Sequence, residues 1–328
     1  MILVTGGAGF IGSNIVAALA ARGERVFVCD VLGSGDKWRN IARHEVCEVI
    51  HPDDCVEWLS RRHDRIRAVV HMGAISATTE PDADKLVAQN IQPTLALWEF
   101  CVARDKQFIY ASSAATYGDG SAGFEDDGRP DALAKLLPLN AYAWSKHLVD
   151  RSIARKVALG EPMPRQWVGL KFFNVYGPNE YHKAGMRSVL VQLHGQAKTT
   201  GKLRLFKSHR PDYADGGQLR DFIYVRDCVD AVLWLLDRPA VSGLFNLGSG
   251  KARSFLDVAN AMRDAMPKRK LETEFFDMPE ALRDRYQYFT EAPMQRLRAA
   301  GYDRPFTSLE DGVADYVANY LEAPDPYR

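Results

Sequence analysis

Hydrophobic positions in the first half of the chain follow two alternating rhythms. Short unbroken apolar runs, as at 2–5 and 68–72, read as strands buried on both faces. Between them lie longer stretches with apolar residues three and four apart, at 11–22, 84–103 and 142–158, which read as helices. Further strands are expected at 25–30, 108–112 and 168–174. Strand and helix in regular succession are the pattern of βαβ units, which build a parallel sheet with helices on both faces.

After about residue 175 the rhythm loosens. Residues 208–219, SHRPDYADGGQL, are crowded with turn formers and read as an exposed, flexible loop. An extended run follows at 220–225, then a helix at 227–236, a strand with a glycine-rich turn at 244–250, and helices at 257–266 and 309–321. The expected fold class is α/β. A doubly wound parallel sheet occupies 1–175, the chain returns to it around 220–250, and 176–328 mainly form a smaller, mixed α/β C-terminal unit for substrate. Such a unit belongs over the carboxyl edge of the sheet, where open α/β folds bind ligands.

Charge narrows the function classes. With 42 basic and 42 acidic residues there is no global positive field, so neither nucleic acid nor an anionic membrane is an expected partner. The five cysteines are odd in number, scattered and never C-x-x-C, which reads as reduced thiols without a disulfide framework or a metal site. No apolar run approaches the ~18–20 residues that span a bilayer. The chain opens on Ile2-Leu3-Val4 with no basic region before it, so the expectation is a cytoplasmic enzyme or binding protein.

Thr5-Gly-Gly-Ala-Gly-Phe-Ile-Gly12 lies between an expected strand and an expected helix. Gly6 and its neighbour allow a tight turn, Gly9 lets the backbone approach a pyrophosphate, and Gly12 permits close helix–strand packing. The following helix N-terminus presents free N–H groups to the anion. This is the fingerprint of a Rossmann-type dinucleotide site. Asp30 ends the second strand at the place where a carboxylate accepts from a ribose hydroxyl, which favours NAD. Lys37 and Arg39 follow, and cations there suit the 2′-phosphate of NADP or form a solvated loop pair, so the residues leave both cofactors open.

Ser112-Ser113 follows an expected strand, and Tyr142 and Lys146 share one face of an expected helix. A phenol with an ordinary pKa of about 10 is a poor base near neutrality, and an ammonium beside it favours the phenolate. Ser113 can then hold a substrate oxygen while Tyr142 exchanges its proton.

The glycine fingerprint, ASSAATYG at 111–118 and YAWSK at 142–146 resemble the extended short-chain dehydrogenase/reductase superfamily, whose members act on nucleotide-linked sugars. Within it the chain is similar to the heptose 6-epimerase family over nearly its whole length. HMGAISATTE, KFFNVYGPNEYHKAGM, LRDFIYVRD, FNLGSGKARSF, RYQYFT and LRAAGYDRPF carry that closer likeness. In the sugar-nucleotide 4,6-dehydratases an Asp-Glu pair follows the catalytic Ser or Thr; here Ala114 and Ala115 stand there, so the acid and base of elimination are missing.

The resemblance implies an NADP-dependent isomerase acting at C6 of an ADP-heptose, a precursor for lipopolysaccharide, with another nucleotide-sugar epimerase or reductase, such as a UDP-hexose 4-epimerase, as the alternative. Tyr142 and Lys183 would serve as two acid/bases, with Ser113 and Lys146 beside them. It implies cofactor contacts at Gly6, Gly9, Phe10, Ile11, Gly12, Asp30, Val31, Lys37, Met72, Gly73, Ala74, Ile75, Ser76, Asn90 and Val175, as well as at Tyr142, Lys146 and Lys183. Substrate contacts would come from Ser113, Asn174, Gly185, Gln192, Phe206, Lys207, Ser208, His209, Arg220 and Tyr286. Arg220 suits a diphosphate by its planar fork, or an ion pair with Asp221 or Asp227. A homo-oligomer, a homopentamer in particular, is implied too.

Three departures stand out. A basic residue that helps to hold a 2′-phosphate is replaced near His51-Pro52, Gly185 and Gln192 stand where the family often places Ser and His, and the loop between Phe206 and Arg220 is expanded.

Overall fold

Short aliphatic strands build the centre of the molecule, and the computed structural model describes residues 1–283 and 286–328. The strands are β1 (Ile2–Thr5), β2 (Val26–Cys29), β3 (Glu48–Ile50), β4 (Ala68–His71), β5 (Gln107–Ser113), β6 (Gln166–Phe172), β7 (Asn174–Tyr176), β8 (Lys202–Phe206), β9 (Leu219–Tyr224), β10 (Gly243–Leu247), β11 (Ala252–Ser254) and β12 (Glu272–Phe276). Seven of them form one sheet in the order β10-β6-β5-β4-β1-β2-β3, every pair parallel. β1, β2 and β4 are buried at every position, as expected of strands covered on both faces.

The helices of eight residues or more are α1 (Phe10–Ala21), α2 (Cys55–Arg62), α3 (Gln92–Ala103), α4 (Ala141–Ala158), α5 (Val189–Thr200), α6 (Val225–Leu236), α7 (Phe255–Ala265) and α8 (Leu309–Tyr316). On one face of the sheet Ile15 and Leu19 of α1 meet Val229 and Val232 of α6. On the other, Trp98 and Cys101 of α3 meet Val149 and Ile153 of α4. A separate apolar cluster joins Leu193 of α5, Met262 of α7, Val313 of α8 and Leu203 of β8.

The expected elements are present, with three instructive shifts. The helix expected over 84–103 is a short α-helical turn (Ala83–Leu86), a wider π turn (Val87–Ile91) and then α3. Pro93 sits in the first turn of α3 and has no N–H for the carbonyl of Gln89, so the ladder widens before it. The strand expected over 168–174 breaks after Phe172, and β7 leaves the main sheet to pair with β9. The helix expected over 309–321 is α8 and a terminal π turn, Val317–Leu321.

Two small sheets lie outside the main one: β11-β9-β7 and β12-β8. The main sheet changes direction between β1 and β4, since the chain runs out to β3 and returns to β4 on the other side of β1. That is the switch point where ligands enter folds of this kind.

Candidate active site

At the switch point the loops after β1 and β4 approach closely. Met72 donates its N–H to the Thr5 carbonyl at 3.0 Å, and a Cβ on Gly6 would lie 2.6 Å from the nitrogen of Gly73. Gly6 also has φ +63, a conformation natural to glycine. A Cβ on Gly12 would lie 2.1 Å from the Gly6 carbonyl, so only glycine lets α1 start this close to the loop. Gly9 caps α1 without any side chain, leaving the first N–H groups of the helix to an anion. The residues present therefore fit a dinucleotide pyrophosphate.

Three connected cavities run along this edge. The first, about 490 Å³, is lined by Asp30, Val31, Lys37, Gly73 and Ile75. The second, about 380 Å³, is lined by Gly6, Gly9, Phe10, Ile11, Gly12 and Ser76. The third, about 390 Å³, holds Ser113, Tyr142, Lys146, Asn174, Val175 and Lys183. Gly73 and Ala74 line the first two, while Phe10, Met72 and Lys183 line the last two, so the three make one cleft. Asn90 stands behind it, fully buried, accepting from the N–H of Ile75 at 2.8 Å and donating to Ser145 Oγ at 3.0 Å. It shapes the wall at Ile75.

Asp30 is engaged three ways. Its carboxylate accepts from the N–H of Ala8 at 2.9 Å, the N–H of Val31 at 2.8 Å and Lys37 Nζ at 2.6 Å. Further along, His182 lines the middle cavity. Burial first, then the positive charges of Lys37 and Lys183, hold its imidazole down to about 4. Two cations flank the place where a pyrophosphate would lie.

The reacting end is set by α4. Asn140 caps it, its side chain accepting from the N–H of Ala143 at 2.8 Å, and Tyr142, Lys146 and Asp150 follow on one face. Burial pushes the Tyr142 phenol up, and the Ser113 hydroxyl opposes that rise. The sequence pattern pointed to Lys146 as the group that favours the phenolate. In the structure Lys146 Nζ donates instead to the Ala111 carbonyl at 2.8 Å. Burial lowers its ammonium to about 8 against the pull of Asp150.

Lys183 reaches the same cavity from a short 3₁₀ segment, Tyr181–Met186. Its Nζ lies 5.6 Å from the centre of the Phe10 ring, and burial lowers its pKa while Glu180 raises it. Glu180 is itself buried and accepts from Ser188 Oγ at 2.7 Å, from the Ser188 N–H and from Tyr316 at 3.1 Å. The segment is anchored at one end, and Ala184, next to Lys183, takes the unusual φ of +47.

A second cluster adjoins through Phe255. Arg220 is 8% exposed; its guanidinium lies 5.9 Å from the Phe255 ring and 5.1 Å from the Tyr286 ring. Neither Asp221 nor Asp227 pairs with it: Asp221 accepts from Ser249, Gly250 and Ala292, and Asp227 from Thr307. Among the described residues no carboxylate neutralises this buried charge, which suits an anion from outside. Phe206 packs edge-on to Tyr286 at 6.2 Å, and His209 donates its N–H to the Tyr288 hydroxyl at 2.9 Å. Lys207 pairs with Asp277 at 3.4 Å and Ser208 Oγ with the Arg210 carbonyl at 2.9 Å, both at the surface. Gly185 is exposed, and Gln192 is exposed with its amide donating to the Arg187 carbonyl at 3.0 Å. Those two do not line the cleft.

Residues 2–248 match the model of the NAD dependent epimerase/dehydratase family. The chain belongs to that family. An ADP-L-glycero-D-manno-heptose-6-epimerase of Fusobacterium nucleatum is 48% identical, with 100% of each chain covered. Among solved structures, the ADP-L-glycero-D-manno-heptose-6-epimerase of Helicobacter pylori superposes with a TM-score of 0.80 at 27% identity, covering 97% of this chain and 95% of that one. The UDP-glucose 4-epimerase of Thermus thermophilus, solved in complex with NAD, gives 0.72 at 25% identity over 98% and 99%. A nicotinamide cofactor follows from the family, and the cleft is where it fits.

This epimerase-family cleft also contains residues that the sequence did not single out. Thr78, Glu180, Phe222 and Phe255 line the reacting cavity. Phe222 follows Arg220 by two in an extended run, so period-two spacing puts both on one face of β9. Glu180 precedes Lys183 by three, a spacing that brings side chains together in a tight helical turn.

Proposed function

We propose that this chain converts ADP-D-glycero-D-manno-heptose to ADP-L-glycero-D-manno-heptose by inverting C6. The observation that carries the reading is that Tyr142 and Lys183, from distant parts of the sequence, line one cavity with Ser113 and Lys146 at the end of the cofactor cleft. The heptose epimerase names of the full-length relatives support the substrate.

A bound nicotinamide supplies a hydride acceptor and donor, so the reaction has no net redox. Ser113 holds the C6 oxygen. Tyr142 and Lys183 exchange its proton in two poses of the sugar end, one base for each face, because proton transfer needs a donor–acceptor distance of about 2.6–3.2 Å that one fixed group does not reach twice. Lysine suits this role because burial shifts its pKa toward neutrality. Asn174 and Val175, which line the same cavity, would contact the sugar and the nicotinamide. Arg220, Tyr286 and Phe206, with Lys207, Ser208 and His209, take the ADP end.

The cofactor in this reading is NADP. The Asp30 carboxylate already receives three donors, one of them Lys37, which leaves it a weaker acceptor for a ribose hydroxyl and puts a cation beside it. The reading extends to a homo-oligomer, a homopentamer on the family resemblance, working in the cytoplasm; among the described residues no helix is long and apolar enough to cross a membrane. Purified protein loaded with NADP is expected to invert ADP-heptose and leave UDP-galactose unchanged. Lys37→Ala should weaken NADP about tenfold more than NAD, the scale of one lost charged contact. Conversion of UDP-galactose alone would overturn the substrate, and equal losses for the two cofactors would overturn NADP.

A further inference from the structure

We propose that residues 325–328 form a clamp that ties the two walls of the cofactor cleft together and slows release of the dinucleotide. One wall is the segment 36–44, which carries Lys37; the other is 177–187, which carries His182 and Lys183. The segment Asp325-Pro-Tyr-Arg328 lies against both. On the first wall, Asp325 pairs with Arg43 and with Arg39 at 3.6 Å, and Arg43 Nη1 donates to the Tyr327 carbonyl at 2.8 Å. The Arg39 guanidinium stacks over the Tyr327 ring at 4.4 Å, and His44 Nε2 shares a hydrogen bond with the Arg328 carbonyl at 3.0 Å.

On the second wall, the Tyr181 hydroxyl donates to the Pro326 carbonyl at 2.9 Å and its ring meets Tyr327 edge-on at 5.4 Å. The N–H of Arg328 donates to Asn179 Oδ1 at 3.0 Å, and its guanidinium to Asn14 Oδ1 of α1 at 3.0 Å. Two buried asparagines, Asn40 and Asn179, join the walls beside the clamp. Asn40 Nδ2 donates to the carbonyls of Ala8 at 2.8 Å and Asn179 at 3.1 Å, and Asn179 Nδ2 to Ser13 Oγ at 3.0 Å. The contacts therefore converge on the glycine loop, the start of α1 and both cationic walls. Pro324 and Pro326 on either side of Asp325 fix φ at two positions, which limits the freedom that docking removes.

The chemistry gives such a clamp a purpose. A reaction that removes hydride and returns it passes through a stage at which the reduced cofactor must stay beside the ketone; its loss there strands both. Tyr327 is the centre of the device, since its ring is both covered by Arg39 of the first wall and met at a right angle by Tyr181 of the second.

The inference rests on a nicotinamide cofactor in this cleft, and on neither the substrate nor the choice of NADP. Its test measures the dissociation rate of NADPH and of NADH by fluorescence, with deuterium uptake of 36–44 and 177–187, in Asp325→Ala, Tyr327→Ala, the double variant and Tyr181→Phe. Asp325 is 40% exposed and Tyr181→Phe removes one hydroxyl, so those two keep the fold in play if the double variant does not. The double variant is expected to release the dinucleotide about tenfold faster, the effect of one or two lost contacts. Uptake in both walls should rise together, with Tyr181→Phe intermediate. Dissociation within twofold of the parent and unchanged uptake in both walls would overturn the clamp, and would do so even in a protein that inverts ADP-heptose. Faster release from a protein that does not invert ADP-heptose would support the clamp and overturn the substrate instead.

Discussion

Two lysines in the reacting cavity are held below their ordinary pKa by burial, and each has a carboxylate that limits the fall: Asp150 for Lys146 and Glu180 for Lys183. That balance moves both amines down from the ordinary lysine range, the direction that suits an acid/base. Tyr142→Phe or Lys183→Met is expected to slow epimerisation by ~10²-fold or more while cofactor still binds, measured as turnover beside dinucleotide titration. Lys146 gives a second prediction, with a definite sign. The folded chain releases its proton near pH 8 and the unfolded chain near 10.5, so in that window the unfolded chain holds more protons and stability rises with pH. Below it the whole cost of the buried charge is present. Lys146→Met should therefore be more stable than the parent at pH 7, by about 1–3 kcal/mol after loss of the Ala111 bond, and the advantage should shrink from pH 8 upward. Urea unfolding of the cofactor-free protein across that range reads it directly.

At the scale of elements, the site depends on the seam between α4 and the sheet. Asp150, one turn beyond Lys146, accepts from Lys171 Nζ of β6 at 2.9 Å, from Ser112 Oγ at 2.7 Å and from Tyr110 at 3.1 Å of β5. Lys171 and Asp150 are both fully buried in this pair. Lys171→Met leaves a buried carboxylate without its counter-ion and should cost about 3–5 kcal/mol in chemical unfolding; adding Asp150→Asn should recover part of the loss. The elements that carry chemistry were legible because each has a strong local signal: an apolar run before the glycines, and a tyrosine and lysine four apart on a helix. β3, β8, β11, β12, α2 and α5 were not read. β3 and β11 are three residues long, and the α2 sequence CVEWLSRR buries only Cys55 and Leu59, too little for an apolar stripe. β8 alternates Leu203 and Leu205 between polar residues but pairs only with β12, about seventy residues later, which local pattern does not reveal.

At the scale of the whole molecule, the sequence separates Gly6, Tyr142, Lys183 and Arg220, and the switch between β1 and β4 gathers the first three around one cleft. Their residue types were legible, and the family resemblance implied that Tyr142 and Lys183 meet; local pattern alone did not show it, because the meeting depends on β7 leaving the main sheet after Phe172 and on the 177–187 segment that follows bringing Lys183 into the cavity. That Arg220 pairs with neither Asp221 nor Asp227 was not visible in the local sequence, since both are near neighbours whose carboxylates turn out to be taken by Ser249 and Thr307. The central claim is that hydride leaves C6 and comes back to the same carbon. ADP-heptose carrying deuterium at C6, converted in ordinary water and read by NMR, tests it most directly. Retention of the deuterium at C6 in the inverted product is the predicted result; its replacement by solvent hydrogen would show that the carbon is deprotonated instead, and would contradict the account.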